Sequence, residues 1–126
     1  MRFSLSLLAL AALPFAPADS ARAAGAAPIV AEIVTFQLNN GVTDAAFVEI
    51  SKASQAFVAT APGFLSRQLS KGDDGVWTDY VLWADMESAL AVGKAFPDQD
   101  FAPALMGAIK SGTEQMRHQQ ILWQME

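Results

Sequence analysis

Apolar residues along this chain form an ordered succession of strand-like and helix-like segments. Residues 29–38 are rich in β-branched and aromatic side chains and stop at Asn39-Asn40-Gly41, which predicts a first strand. In residues 44–60, apolar positions recur at spacings of three and four after a capping oxygen from Thr43 or Asp44. This pattern predicts a first helix, which Pro62-Gly63 ends.

A β-hairpin is predicted next. Two β-prone runs, residues 62–69 and 77–83, flank the Gly and Asp cluster of residues 71–75, where the chain reverses most easily. Asp85 can cap a second helix that breaks at Pro97-Asp98, and a short helical turn over residues 101–109 precedes a last strand over residues 113–124. The order βαββαβ predicts an α+β, ferredoxin-like fold with both helices on one face of a four-stranded antiparallel sheet.

Neither face of the third predicted strand is polar enough to be exposed to water. Alternation places Trp77, Asp79, Val81 and Trp83 on one face, and Val76, Thr78, Tyr80 and Leu82 on the other. We therefore expect this strand to be central and the second strand, which has a wetter face, to lie near an edge. A large apolar sheet face is usually covered, and a second copy of the chain is the simplest cover, so we expect a homodimer. The alternative is a well-packed monomer with a few exposed aromatic residues.

The N-terminus has the pattern of a secretory signal peptide. Arg2 precedes an apolar run over residues 3–13, and the small-residue triplet Ala21-Arg22-Ala23 follows. The run is too short to span a membrane, so we predict a cleaved signal peptide over residues 1–23, a linker over residues 24–28 and a single domain over residues 29–126. Cleavage after Ala26 is the alternative. The mature protein is then exported, to the periplasm or the medium, with no membrane anchor.

Charge and cysteine content exclude several classes of function. The chain has a net charge of −5, and loss of the leader makes it more negative, so nucleic acid is a poor partner. With no cysteine there is no disulfide framework, and with one histidine and scattered carboxylates no metal site is predicted. The sequence also contains no motif for a phosphate-binding loop, a dinucleotide or a nucleophilic serine. We therefore expect no cofactor.

A few residues are candidates for chemistry. His118, the single histidine, could shuttle protons from the last strand, or it could be a hydrogen-bonded structural residue. Asp79 lies between Trp77 and Val81, where a carboxylate either pairs with a cation such as Arg67 or Arg117 or acts as a base. Trp77 is either core, dimer interface or the wall of a flat apolar pocket.

The element order and three segments resemble a known family. These segments are Pro62-Gly63-Phe64-Leu65-Ser66, the entry into the second helix from Tyr80-Val81-Leu82-Trp83 to Ala89, and Met116-Arg117-His118. Together they resemble the antibiotic biosynthesis monooxygenase-like proteins of the dimeric α/β-barrel superfamily. The resemblance implies a dimeric barrel in which the second sheet face is buried between two copies.

The resemblance also suggests candidate functions. The superfamily includes cofactor-independent monooxygenases, haem-degrading enzymes, isomerases, dye peroxidases and proteins without known activity. Its quinone-forming monooxygenases imply substrate-binding roles for Trp77, Arg67 and Tyr80, although alternation puts Trp77 and Tyr80 on opposite faces. The first hypothesis is an exported monooxygenase-like enzyme for a small aromatic or quinol compound, with a pocket near Trp77 and His118. The second is a non-catalytic ligand-binding or scaffold protein, and the third is haem handling, for which the second helix lacks an axial histidine.

Overall fold

Four strands and four short α-helices make up the part of the chain that the computed structural model describes, residues 27–126. The predicted signal peptide and most of the linker lie outside these residues. The strands are β1 (Val30–Phe36), β2 (Phe64–Lys71), β3 (Trp77–Trp83) and β4 (Gln115–Gln120). The α-helices are α1 (Asp44–Lys52), α2 (Gln55–Ala59), α3 (Met86–Ala95) and α4 (Ala102–Ala108), and a short 3₁₀ helix, Phe96–Asp98, follows α3.

The sheet is antiparallel throughout, with strand order β2-β3-β1-β4. This order confirms the predicted α+β, ferredoxin-like fold, with β3 in a central position and β2 at an edge. Residues directly opposite one another in antiparallel strands share a face. The pairs Glu32↔Val81 and Ile33↔Tyr80 therefore identify the two faces of the sheet.

All the helices pack on one face of the sheet. One core cluster joins Val58 of α2 and Val92 of α3 to Val81 and Trp83 of β3. A second joins Phe47 of α1 and Ala108 of α4 to Phe36 and Trp77. The rings of Phe36, Phe47 and Trp77 meet edge to face, with centroids 5.4 Å and 5.1 Å apart along the series. Both clusters therefore lie between this helix-covered face and the helices.

The first helix is two helices, which corrects the prediction of one continuous helix over residues 44–60. Thr43 caps α1 through a hydrogen bond from the Ala46 amide to its Oγ1, 3.1 Å. The helix then ends at Lys52, and α2 begins at Gln55. Between them Ser54, fully buried, donates a hydrogen bond from Oγ to the Ser51 carbonyl at 2.6 Å. Serine side chains that bond to nearby backbone in this way compete with continuous helix.

Asp85 begins the second helical segment as predicted. Its carboxylate accepts a hydrogen bond from the Ser88 amide at 2.7 Å, which caps α3. Hydrogen bonding from Ser88, first from its backbone amide and then from its side chain, holds the pKa of Asp85 below its usual value. The 3₁₀ helix Phe96–Asp98 contains Pro97, where the sequence predicted a break. Local signals were therefore sufficient to place this element.

The predicted hairpin is present, with one correction at its start. The register shifts between Phe64 and Ser66, which marks a β-bulge at Leu65. Strict alternation along the strand would place Phe64 on the same face as Ser66, Gln68 and Ser70. The bulge instead turns Phe64 to the helix-covered face, where its ring packs edge-on against Trp83 at 5.9 Å.

The last strand is shorter than predicted. Residues 113–124 were expected to be extended and paired, but β4 ends at Gln120, opposite Val30 at the start of β1. One further bond joins the Ile121 amide to the Ile29 carbonyl at 2.9 Å. Beyond it the neighbouring strand supplies no partner, and Leu122 and Trp123 are exposed. Across residues 27–126, no helix has the length and apolar character needed to cross a membrane.

Candidate functional site

Polar side chains cross the middle of the helix-covered sheet face in a single row. Arg67 lies opposite Val81, Val81 lies opposite Glu32, and Glu32 lies opposite His118. Asp79 occupies the next row, beside Leu69 and Val34. Each strand thus contributes at least one ionisable residue to a face that otherwise forms the core. Such residues are rarely placed inside a fold unless they are paired.

Arg67 and Asp79 form a two-pronged ion pair. Arg67 donates from Nε to Asp79 Oδ1 at 3.0 Å and from Nη2 to Oδ2 at 2.7 Å. The two side chains are only 18% and 19% exposed. Nη1 of Arg67 donates to the Ser54 Oγ at 2.7 Å, so the break between α1 and α2 helps to orient the guanidinium. Of the two cations that the sequence offered, Arg67 and Arg117, the structure pairs Asp79 with Arg67, and both oxygens of Asp79 accept hydrogen bonds.

Glu32 and His118 form a second pair at the other end of the row. His118 Nε2 lies 2.7 Å from Glu32 Oε2, and the side chains are 19% and 12% exposed. A histidine beside a carboxylate can hold or pass a proton, with the carboxylate fixing the orientation of the ring. Sequence analysis identified His118 but missed Glu32. Alternation in β1, which puts Glu32 on the same face as Val30, Val34 and Phe36, was the signal that could have found it.

A cavity of about 270 Å³ lies between this row and the helices. Its floor on the sheet includes Glu32, Arg67 and Asp79, and Glu114 joins them just before β4. Most of the wall is apolar and comes from α1, α3, the 3₁₀ helix and α4; it includes Phe47, Val92, Phe96, Leu105 and Met106. The site therefore has the usual composition of a small-molecule pocket, an apolar wall with a few converging polar groups.

The structure separates the aromatic candidates. Trp77 is buried on the helix-covered face and Tyr80 lies on the opposite, helix-free face, as alternation predicted. Among the described residues, Trp77 and His118 do not line the cavity themselves. Each contacts a residue that does: Trp77 packs on Phe47, and His118 bonds to Glu32. Of the five predicted site residues, Arg67 and Asp79 line the cavity, and Tyr80 faces away from it.

The arrangement supports proton transfer and hydrogen bonding to a bound molecule. Glu32 lines the cavity and is backed by His118, and Arg67 offers N–H groups of a planar cation. Within residues 27–126 there is no group of three or more His, Cys, Asp or Glu side chains placed to hold a metal ion.

Comparisons with solved structures identify the same fold in known proteins. A point mutant of SnoaB, a cofactor-independent oxygenase from Streptomyces nogalater, superposes with a TM-score of 0.64 at 19% identity, over 78% of this chain and 97% of that one. ActVA-Orf6, a monooxygenase from Streptomyces coelicolor in complex with nanaomycin D, gives 0.62 at 22% identity, over 79% and 92%. A Bordetella bronchiseptica protein named for antibiotic biosynthesis monooxygenases gives 0.65 at 16% identity, over 76% and 99%.

Comparisons at the level of sequence find no match, whereas comparisons of structure do. No protein-family model matches the chain. No curated protein matches it either. The structural matches nevertheless extend over almost the whole length of the proteins concerned, so they describe the complete domain. The chain has the ferredoxin-like fold of the antibiotic biosynthesis monooxygenases.

Proposed function

We propose that this protein oxidises a small phenolic or quinol compound with molecular oxygen in the cavity between sheet and helices, without a metal or flavin. The observation that carries the proposal is the cavity itself, apolar along the helices and floored by Glu32 and Arg67. SnoaB is named as a cofactor-independent oxygenase, and ActVA-Orf6 is a monooxygenase bound to nanaomycin D. Both have this fold, which supports the proposal.

The size of the cavity favours a small aromatic compound. Pockets for small molecules usually have volumes of about 300–1,000 Å³, and this one, at about 270 Å³, lies just below that range. Phe36, Phe47 and Phe96 line it and can contact a flat ring through their own faces and edges.

The paired side chains suggest a division of labour. Glu32 accepts the proton of the substrate hydroxyl, and His118, hydrogen-bonded to Glu32, stabilises or receives that proton. Arg67 donates a hydrogen bond to the oxygen on which negative charge develops, in the manner of an oxyanion-stabilising group. Asp79 and Ser54 hold the guanidinium in place.

The reaction balances without a further reductant. A phenol with a free para position and one O₂ molecule give a quinone and one water. The C–H carbon becomes a carbonyl carbon with one oxygen atom of O₂, and the other oxygen leaves as water with the hydroxyl and ring hydrogens. The phenolate supplies all the electrons that reduce O₂. Proton removal is therefore the step that the protein has to assist.

A turnover assay with isotopic oxygen tests the proposal. A panel of naphthols with a free para position is incubated with the protein under ¹⁸O₂, and quinone products are measured by mass spectrometry. We expect one ¹⁸O atom in the product, and a loss of about 10²-fold or more in turnover for Glu32→Gln, the usual contribution of a general base. Glu49→Gln is the matched control, since Glu49 is an exposed carboxylate on α1 that pairs with Lys52.

Two results would count against an oxygenase. One is quinone formation that matches the protein-free rate. The other is a Glu32→Gln variant as active as Glu49→Gln. If the ligands bind but are not oxidised, the second candidate function, a non-catalytic binding protein, is the better account. One observation favours that candidate: Arg67 is paired with Asp79, and Glu32 with His118, within the protein itself.

We further propose that the protein is a homodimer joined through the helix-free sheet face. The central strands present Ile33, Tyr80 and Leu82 there, and these apolar side chains have no helix above them. A second copy would cover them. Light scattering should give the mass of a dimer for the natural chain and of a monomer for Ile33→Glu. Leu90→Glu, on the exposed side of α3, is the control and should stay dimeric. A monomeric natural chain would refute this proposal.

Export is the remaining part of the proposal. Residues 1–23 have the charge, apolar run and small-residue site of a secretory leader. Expression of the full chain in a bacterium with an outer membrane, followed by fractionation and intact-mass measurement, should recover a periplasmic protein that begins at Ala24. An uncleaved chain in the cytoplasmic fraction would contradict export.

A further inference from the structure

We infer that Asp79 determines the charge selectivity of the cavity, because it neutralises Arg67 and so makes the site reject carboxylated aromatic compounds in favour of uncharged ones. This inference rests on the proposed function, since it concerns the ligand of the same cavity. Arginine in a pocket is the usual partner of a carboxylate. Here the carboxylate is supplied by the protein itself, at 2.7 Å and 3.0 Å from the guanidinium.

The charges that line the cavity have the wrong sign for an anion. Arg67 carries the one positive charge among the lining side chains, and Asp79, Glu32 and Glu114 carry three negative charges. Protonation of His118, behind Glu32, would still leave the set negative. Because Arg67 and Asp79 are 18% and 19% exposed, solvent screens them weakly, and a bound carboxylate would experience the excess negative charge at short range.

Arg67 nevertheless keeps hydrogen-bonding capacity. A guanidinium has about five N–H donors, and the described residues engage one on each nitrogen, through Asp79 and Ser54. The donors that are left can serve a neutral acceptor, such as a phenol or quinone oxygen. Arg67 can therefore donate hydrogen bonds to a ligand while its ion pair with Asp79 carries no net positive charge, and this distinguishes it from an arginine that binds anions.

A pair of isosteric ligands tests the inference directly. A hydroxynaphthamide and the corresponding hydroxynaphthoate have nearly the same shape, and at neutral pH only the second is charged. Affinities for the purified protein are measured by calorimetry. We expect the amide to bind the natural protein at least about tenfold more tightly, which corresponds to about 1.4 kcal/mol. The ratio should persist at raised ionic strength, because charges in a partly buried site are screened less than surface charges.

Variants assign the selectivity to Asp79. In Asp79→Asn the uncompensated Arg67 should raise the affinity for the carboxylate about tenfold or more, so that the preference disappears or reverses. In Arg67→Met combined with Asp79→Asn both charges are gone, and the preference for the amide should return. Asp98→Asn removes one exposed charge outside the cavity and should leave the ratio unchanged. Circular dichroism verifies that each variant is folded.

The outcomes separate the inference from the proposed function. If the natural protein binds amide and carboxylate equally, or if folded Asp79→Asn keeps the preference for the amide, the inference is overturned and the proposed function stands. If neither ligand binds the natural protein, the aromatic cavity itself is refuted and both fall. Should Asp79→Asn fail to fold, Asp79→Thr, which also removes the carboxylate beside Arg67, is measured in its place and should likewise lose the preference for the amide.

Discussion

Replacing Gly63 by alanine should be unusually costly for a single methyl group. Gly63 lies just before β2 with a φ of +84°, in the left-handed region that residues with a side chain rarely adopt. Its carbonyl accepts a hydrogen bond from the Ala84 amide at 2.7 Å, which ties it to the chain between β3 and α3. A Cβ on residue 63 would lie 2.6 Å from the Cβ of Ser88.

Two penalties combine at this position. A positive φ costs a non-glycine residue about 1–2 kcal/mol. The contact with Ser88 adds an overpacking cost of about 1–3 kcal/mol, because two Cβ atoms can separate only if the backbone of β2 or α3 moves. The expected loss in the free energy of unfolding is therefore about 2–5 kcal/mol, a large fraction of the stability of a small domain.

Urea unfolding, followed by circular dichroism, measures this loss. Gly41→Ala is the matched control, since Gly41 has a φ of +88° and its Cβ would meet no atom within 4 Å. We expect Gly41→Ala to lose only the backbone term, about 1–2 kcal/mol. In a Ser88→Gly background, which has its own cost of glycine inside α3, Gly63→Ala should lose only as much as that control. Equal losses for the two alanine variants would show that the clash with Ser88 is not felt and would refute the reasoning.

Three further predictions concern charge and helix stability. The losses in the free energy of unfolding caused by Arg67→Met and by Asp79→Asn should not add up in urea unfolding. The double variant should be about 1–2 kcal/mol more stable than the sum of the two single losses predicts. Additive losses would show that the ion pair contributes nothing. Asp85→Ala should lower the melting temperature at neutral pH. Because folding lowers the pKa of Asp85, its carboxylate stabilises the fold at pH values above the ordinary pKa of 3.8, and this stabilisation is lost as the pH falls. The difference in melting temperature between the natural protein and Asp85→Ala should therefore narrow in acid. A difference that stays constant with pH would contradict this. Gly93→Ala should raise the free energy of unfolding by about 0.5–1 kcal/mol, because Gly93 lies inside α3 with open space around its Cβ, and a destabilised variant would contradict this.

Elements with local causes were predictable from the sequence. The hairpin follows from its two β-prone runs and the Gly and Asp cluster, and α3 follows from Asp85 and Pro97. The break at Ser54 was not predicted, because part of its reason is distant: the Ser54 hydroxyl accepts a hydrogen bond from Arg67, which belongs to another element. The apolar periodicity of residues 44–60 continues across the break and conceals it.

One ion pair of the candidate site could be predicted from the sequence, and the other could not. The Arg67–Asp79 pair was accessible because both residues lie in one hairpin, where register follows from the turn. The Glu32–His118 pair was not, because its partners are 86 residues apart and their pairing depends on the order of the strands in the whole sheet. A sequence pattern identifies inward-facing positions, but it does not say which strand will lie beside which.

The row of polar residues across the sheet also makes the site depend on a long-range step of folding. His118 is on β4, the fourth of the described strands, and its bond to Glu32 closes a loop of 86 residues, a contact that is slow to form because loop closure costs entropy. Until β4 docks, β1 is a bare edge that other chains can join, and Glu32 has no partner. A C-terminal truncation that removes β4 would therefore lose solubility and the ligand pocket together.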